Sequence, residues 1–351
     1  MSSSTAASVR LERLLAFLER DTGNLLLRET AIREACDAGC WETAGSLIEA
    51  GLQAHPAQAR LLAFSGLVHL NAHRYRDAEE ALSAAVAQGL NTREMPALLL
   101  RARCHHFLGK LEEAIADCER HLTGIADDGD AHGLLALVLY EQHRKDEANE
   151  HAREALIRKP QQLEALLALA CLLADSGQSE SARAAFDLLL KAHPRCARGW
   201  FALALLELSQ KQLEAAKRAI ERAALDMPDH IGTWHVLAWI EIMLGNVPAA
   251  HSAFRRALAL DRNFSETHGG LAVIGALEGR DEEARLYIKR ALRLDRQSVA
   301  VCYAELLLLQ REGKTAQAKA VLDEVLARPA SAAGLQYREL VAAHFKTAIP
   351  H

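Results

Sequence analysis

The chain repeats itself every 34 residues. The decapeptide FRRALALDRN at 254–263 returns as IKRALRLDRQ at 288–297. The same step carries one alanine through Ala44, Ala78, Ala114, Ala148, Ala182, Ala216, Ala250, Ala284 and Ala318, with a single interval of 36 residues after Ala78. Five residues before it stands a glycine in six of the nine units: Gly39, Gly109, Gly177, Gly245, Gly279 and Gly313. Twelve residues after it stands a proline in four: Pro56, Pro160, Pro194 and Pro228. A period of this size requires an array in which each unit buries its apolar face on its neighbours.

Each recurring position has a physical role. Apolar residues at helical spacing precede the glycine, as in Leu203, Ala204 and Leu208, and follow it, as in Ala216, Ile220 and Ala223. Both segments predict amphipathic helices. The glycine supplies the left-handed turn between them, and the proline closes the second helix because it cannot continue one. The alanine marks a close crossing, where a larger side chain would force the helices apart.

With the alanine as position 20, the units are 25–58, 59–92, 95–128, 129–162, 163–196, 197–230, 231–264, 265–298 and 299–332. Trp200 and Trp234 share position 4. Leu135, Leu169, Leu203, Leu237 and Leu271 share position 7, and Phe186 and Phe254 share position 24. These residues, with the alanine and proline, resemble the tetratricopeptide repeat (TPR) family. The family's tyrosine position is never Tyr here. The resemblance implies an all-α, right-handed superhelical solenoid of about nine helix pairs, and a role in protein binding rather than catalysis.

Terminal helices are expected to cap the array. Residues 1–8 are expected to be disordered, with Ser8 capping a helix at 9–24 that presents Leu11, Leu14, Leu15 and Leu18 on one face. At 333–351, Tyr337, Leu340, Val341 and Phe345 are suited to cover the last core face. Two extra residues near Asn91–Glu94 interrupt the period and read as a loop or hinge.

Half of the residues are hydrophobic and 25% are charged, enough apolar material for a sizeable core. With 41 Lys and Arg against 46 Asp and Glu, the net charge of −5 gives no dominant basic face and argues against nucleic acid as a partner. The basic stretch Arg280–Arg296 is interleaved with Asp281, Glu282, Glu283 and Asp295, the pattern of a solvated helix face. Seven cysteines without regular spacing fit a reducing compartment better than a disulfide framework. The start has no secretory pattern, and the longest strongly apolar run, Leu166–Ala174, is too short to span a bilayer. The reading is a cytoplasmic protein without a membrane anchor.

No phosphate-binding loop, dinucleotide fingerprint, zinc-protease motif or nucleophile elbow is present. His69 and His73 stand four apart, but each also fills a repeat position, the tyrosine slot and the turn. Cys118 falls in the buried phenylalanine slot, and Cys36 and Cys40 flank the Gly39 turn. No catalytic residue, cofactor or metal is expected.

The TPR resemblance implies that first helices line a concave surface with positions 2, 5, 9 and 12. Here that stripe offers Arg33, Arg60, Arg103, His106 and Tyr140 toward the N-terminus. Toward the C-terminus it offers Arg198, Phe201, Leu205, His235, Trp239, Ile242, Val273, Tyr303 and Leu307. These predict a groove for a peptide or amphipathic helix of another protein, with Trp239 as an anchor worth about 2 kcal/mol or more. Position 9 never holds Asn, so the clamp that TPR units use on acidic chaperone tails is not expected. Position 6 likewise lacks the Asn ladder of arrays attached to a sugar transferase. The alternative is a chaperone or secretion-system accessory that shields an apolar client. Self-association through the end helices is a further expectation.

Overall fold

The computed structural model describes residues 2–90 and 95–327. The insertion at 91–94 and the cap expected at 333–351 lie outside the described residues. Those described form nineteen α-helices and no strand. Helix α1 spans Ser2–Arg20. First and second helices then alternate as α2 (Leu25–Asp37) and α3 (Trp41–Ala54), α4 (Ala59–Asn71) and α5 (Tyr75–Ala87), α6 (Ala97–Phe107) and α7 (Leu111–Gly124). They continue as α8 (Gly129–Glu141) and α9 (Lys145–Arg158), α10 (Leu163–Asp175) and α11 (Ser179–Ala192), α12 (Ala197–Ser209) and α13 (Leu213–Asp226). The last pairs are α14 (Ile231–Met243) and α15 (Val247–Leu260), α16 (Ser265–Leu277) and α17 (Asp281–Leu294), α18 (Val299–Arg311) and α19 (Thr315–Ala327). Two compact units divide the chain, Met1–Leu188 and Leu189–His351.

The helices begin where the 34-residue frame places them. Their first turn-forming glycine, Gly39, sits at φ +73°. Its N–H bonds to the Cys36 carbonyl at 3.0 Å, and the Cys40 N–H reaches Ala35 at 2.8 Å, which ends α2 and turns the chain into α3. At three other turns the same left-handed conformation is held by His73, His143 and Lys211, at φ 57°, 60° and 59°. Each carries a backbone strain that glycine would not.

All nine recurring alanines are buried. Gly275 of α16 shows why: a Cβ there would sit 3.1–3.2 Å from the backbone and Cβ of Ala284 in α17. The two helices of this pair cross at backbone distance, and the alanine is the larger of the two side chains at the crossing.

Position 4 has a use that periodicity alone did not disclose. The Trp200 indole N–H donates to the Pro194 carbonyl at 2.8 Å, and the Trp234 N–H donates to Pro228 at 2.7 Å. His132 and His268 stand at the same position, and their Nε2 atoms reach the Ala126 and Arg262 carbonyls at 3.0 and 2.8 Å. Four units thus tie the incoming turn to the first helix through a ring N–H.

Two N-terminal expectations are corrected. Helix α1 starts at Ser2, so residues 2–8 are helical and Ser8 lies inside the helix rather than capping it. Nothing in this Ser- and Ala-rich stretch breaks a helix, and Ala is the strongest helix former. Leu11 and Leu18 are buried, and α1 is tied to α2 by Arg10 and Glu34 at 3.3 Å.

Candidate partner-binding surface

In the first unit the expected stripe is polar and largely paired with itself. The buried Glu29 carboxylate accepts from Gln58 Nε2 at 3.2 Å and Arg60 Nη1 at 3.1 Å, linking α2 to the start of α4. Arg103 of α6 meets Glu164 of α10 at 3.2 Å, and His106 meets Glu141 of α8 at 3.0 Å. Arg103 therefore reaches past the whole of α8. Gly133 in α8 makes room there: a Cβ would collide with the Gln162 amide, which caps α10 by accepting from Ala165 N at 2.6 Å. Tyr140 is half-buried, and burial raises its pKa. Arg33 alone of the five N-terminal positions is exposed.

Behind this face lies a polar cluster that the stripe did not predict. Asp117 of α7 receives two N–H groups from Arg101, at 2.7 and 2.6 Å. His105 lies 3.3 Å from both Asp117 and Glu79, and Glu79 also holds Lys110 at 2.6 Å. Burial pushes the Asp117 carboxyl up, but the Arg101 and His105 hydrogen bonds outweigh it and hold the carboxyl below its ordinary range. The hydrogen bond to Asp117 raises the His105 pKa against the opposing effect of burial. The cluster joins α5, α6 and α7, and its geometry is that of a structural ion network.

The second unit corrects the larger expectation. His235, Trp239, Ile242, Val273 and Tyr303 are not an open apolar slot; they are buried, Trp239 to 6% and Tyr303 to 3% exposure. The Trp239 ring meets Phe254 edge-on at 5.9 Å and Tyr303 at 6.0 Å. Trp239 belongs to α14 and Tyr303 to α18, so they meet past α16, which carries Gly269 and Gly270. A Cβ on Gly270 would collide with the Phe254 ring, and one on Gly269 would stand 2.6 Å from Ala300. The small residues of α16 draw its neighbours together, and the aromatic stripe becomes core. His235 hydrogen-bonds Thr267 at 2.7 Å, and its burial lowers its pKa to about 4. Glu266, another stripe position, accepts from the N–H groups of Val299 and Ala300 at 3.1 and 3.3 Å and so caps α18. Burial raises its pKa.

What stays accessible is the opening of this stripe. Arg198 is exposed, while Phe201, Leu205 and Leu307 are half-buried. Phe201 meets His230 edge-on at 5.4 Å. Among the described residues, no three of His, Cys, Asp and Glu converge as a metal site, and no helix is long and apolar enough to cross a membrane.

The sequence pattern of the family described as "Tetratricopeptide repeat" matches residues 65–131, 167–229 and 236–299, together more than half of the chain. The chain belongs to the tetratricopeptide repeat family. Its TPR fold is similar to that of PilW, a "widely conserved type IV pilus biogenesis factor", at 18% identity and a TM-score of 0.51, over 58% of this chain and 94% of that one. PilF of Pseudomonas aeruginosa matches at 21% identity and 0.48, over 61% and 97%. A TPR protein of Parabacteroides merdae matches at 19% and 0.45, over 71% and 98%. At such identities the likeness is one of fold. No curated protein matches the chain.

Proposed function

We propose that the chain is a non-catalytic interaction scaffold whose first-helix face receives a peptide or amphipathic helix from another protein. The observation that carries this reading is a partly open apolar pair, Phe201 and Leu205, beside the exposed Arg198 on α12 of a TPR array. TPR proteins in general bind other proteins, and a half-exposed aromatic beside Arg has the composition of an interface anchor. The first unit has a first-helix face of its own, on which Arg33, Arg60, Arg103, His106 and Tyr140 offer polar contacts that serve register more than affinity. Trp239, Ile242, Val273 and Tyr303 serve it indirectly, by fixing the wall. A reducing, cytoplasmic setting belongs to the proposal and is supported by seven cysteines, none of which forms a disulfide among the described residues. Burial pushes the thiols of Cys104 and Cys118 up to about 12, which keeps them unreactive.

Site-specific photo-crosslinking in cells tests the reading. A photoreactive residue at position 201 should capture a discrete partner, and the same residue at position 239 should capture none. Equal capture at both positions, or none at 201, would overturn it.

A further inference from the structure

The stretches at 254–263 and 288–297 do more than set the period. They end α15 and α17 in one unit of the fold, and the repeat brings their cations onto one face. Arg255, Arg262 and Arg290 line a pocket of about 360 Å³ with Leu258 and His268. Beside it a groove of about 1050 Å³ runs between α17 and α18. Lys289, Arg293 and Arg296 rim that groove over a floor of Ile288, Leu292 and Leu308. Lys289, Arg290, Arg293 and Arg296 are exposed and make no ion pair among the described residues. The groove also contains Arg285, which is paired with Glu312, and Glu305.

The fold does not need these charges. The groove between α3 and α4 in the other unit occupies the matching repeat positions, with Ile48, Leu52 and Val68 for the floor. There Glu49 and Gln53 stand where Lys289 and Arg293 stand here. The apolar floor is a packing requirement; the basic rim is not, since the matching groove beside α3 lacks it. The asymmetry extends to the whole chain: residues 1–188 carry 19 Lys and Arg against 28 Asp and Glu, and residues 189–351 carry 22 against 18.

We propose that the groove between α17 and α18 docks an acidic amphipathic segment of a partner protein. Its carboxylates meet Lys289, Arg293 and Arg296, and its apolar side chains lie on Ile288, Leu292 and Leu308. Charge complementarity selects this occupant. The chain's own residues 328–351 carry Arg328, Arg338 and Lys346 against Glu339 as the single acid, the wrong sign for the groove. A nucleic-acid backbone would meet Glu305 and Glu312 on the α18 side and find no aromatic ring on which to stack a base. The site is separate from the first-helix face and does not rest on that reading.

Fluorescence anisotropy with the full chain tests the proposal, using a short labelled peptide with Glu and Leu at helical spacing. The peptide should bind, and binding should weaken with salt. Lys289→Glu with Arg293→Glu should weaken it by about tenfold or more, while Phe201→Glu leaves it unchanged. A Lys/Leu peptide, a Glu/Ser peptide and a single-stranded oligonucleotide should bind far more weakly. Far-UV circular dichroism separates lost binding from lost fold; if the double reversal misfolds, Lys289→Gln with Arg293→Gln replaces it. Failure of the Glu/Leu peptide to bind overturns the proposal, as does equal binding by the charge variant or by any control ligand. Because Phe201→Glu probes the other face, that result leaves the scaffold reading to its own test.

Discussion

At position 4 of these units, tryptophan and histidine are interchangeable in one respect, since each has a ring N–H that donates to a carbonyl six residues back. Trp200→Phe keeps the ring and loses the donor, which should destabilise the fold by about 1 kcal/mol in urea unfolding. His132 adds a consequence. Its Nε2 reaches the Ala126 carbonyl, and its Nδ1 lies 2.9 Å from His151 Nδ1, so one of the two facing nitrogens carries a proton and the other accepts it. His235 gives the clearest pH effect. Its folded pKa of about 4 lies below the unfolded value near 6.5, so the unfolded chain takes up the proton first as pH falls. Stability should therefore drop between about pH 6.5 and pH 4 by roughly 3 kcal/mol from this residue alone. In His235→Asn, urea midpoints measured across that range should fall less steeply.

At the scale of helices, the turn at Lys211 is strained for want of a glycine. Lys211→Gly should raise the urea unfolding midpoint by an amount worth about 1 kcal/mol, since φ near 59° costs a side chain and not a glycine. Ala216 is fully buried at its crossing, and Ala216→Leu should cost about 1–3 kcal/mol by overpacking. The helix starts, the turns and the closely packed alanines were legible in the sequence because they follow from local chemistry repeated at one spacing. The fate of the stripe was not. Positions 2, 5, 9 and 12 do share a face of each first helix, but whether that face meets solvent depends on how closely the next two helices approach. Gly133 and Gly269 decide this at one position of the repeat, by admitting the start of the following first helix. A glycine in a helical stripe reads in sequence as a gap in a groove; in the fold it draws the walls together. The basic rim at Lys289 and Arg293 was legible as charge, but its opposing helix was not.

On the scale of the whole molecule, each unit is a TPR stack whose interior is built from small residues at the helix crossings and from rings such as Phe186, Trp239, Phe254 and Tyr303. The aromatic stripe of the second unit is core, and we propose that recognition falls to the residues around it. The most direct test is urea unfolding, followed by circular dichroism, of Trp239→Ala beside Phe201→Ala. Loss of a buried Trp side chain costs about 3–5 kcal/mol, so Trp239→Ala should unfold at markedly lower urea and Phe201→Ala should shift far less. If Trp239→Ala unfolds like the parent chain while partner capture fails, the stripe is a groove and not core.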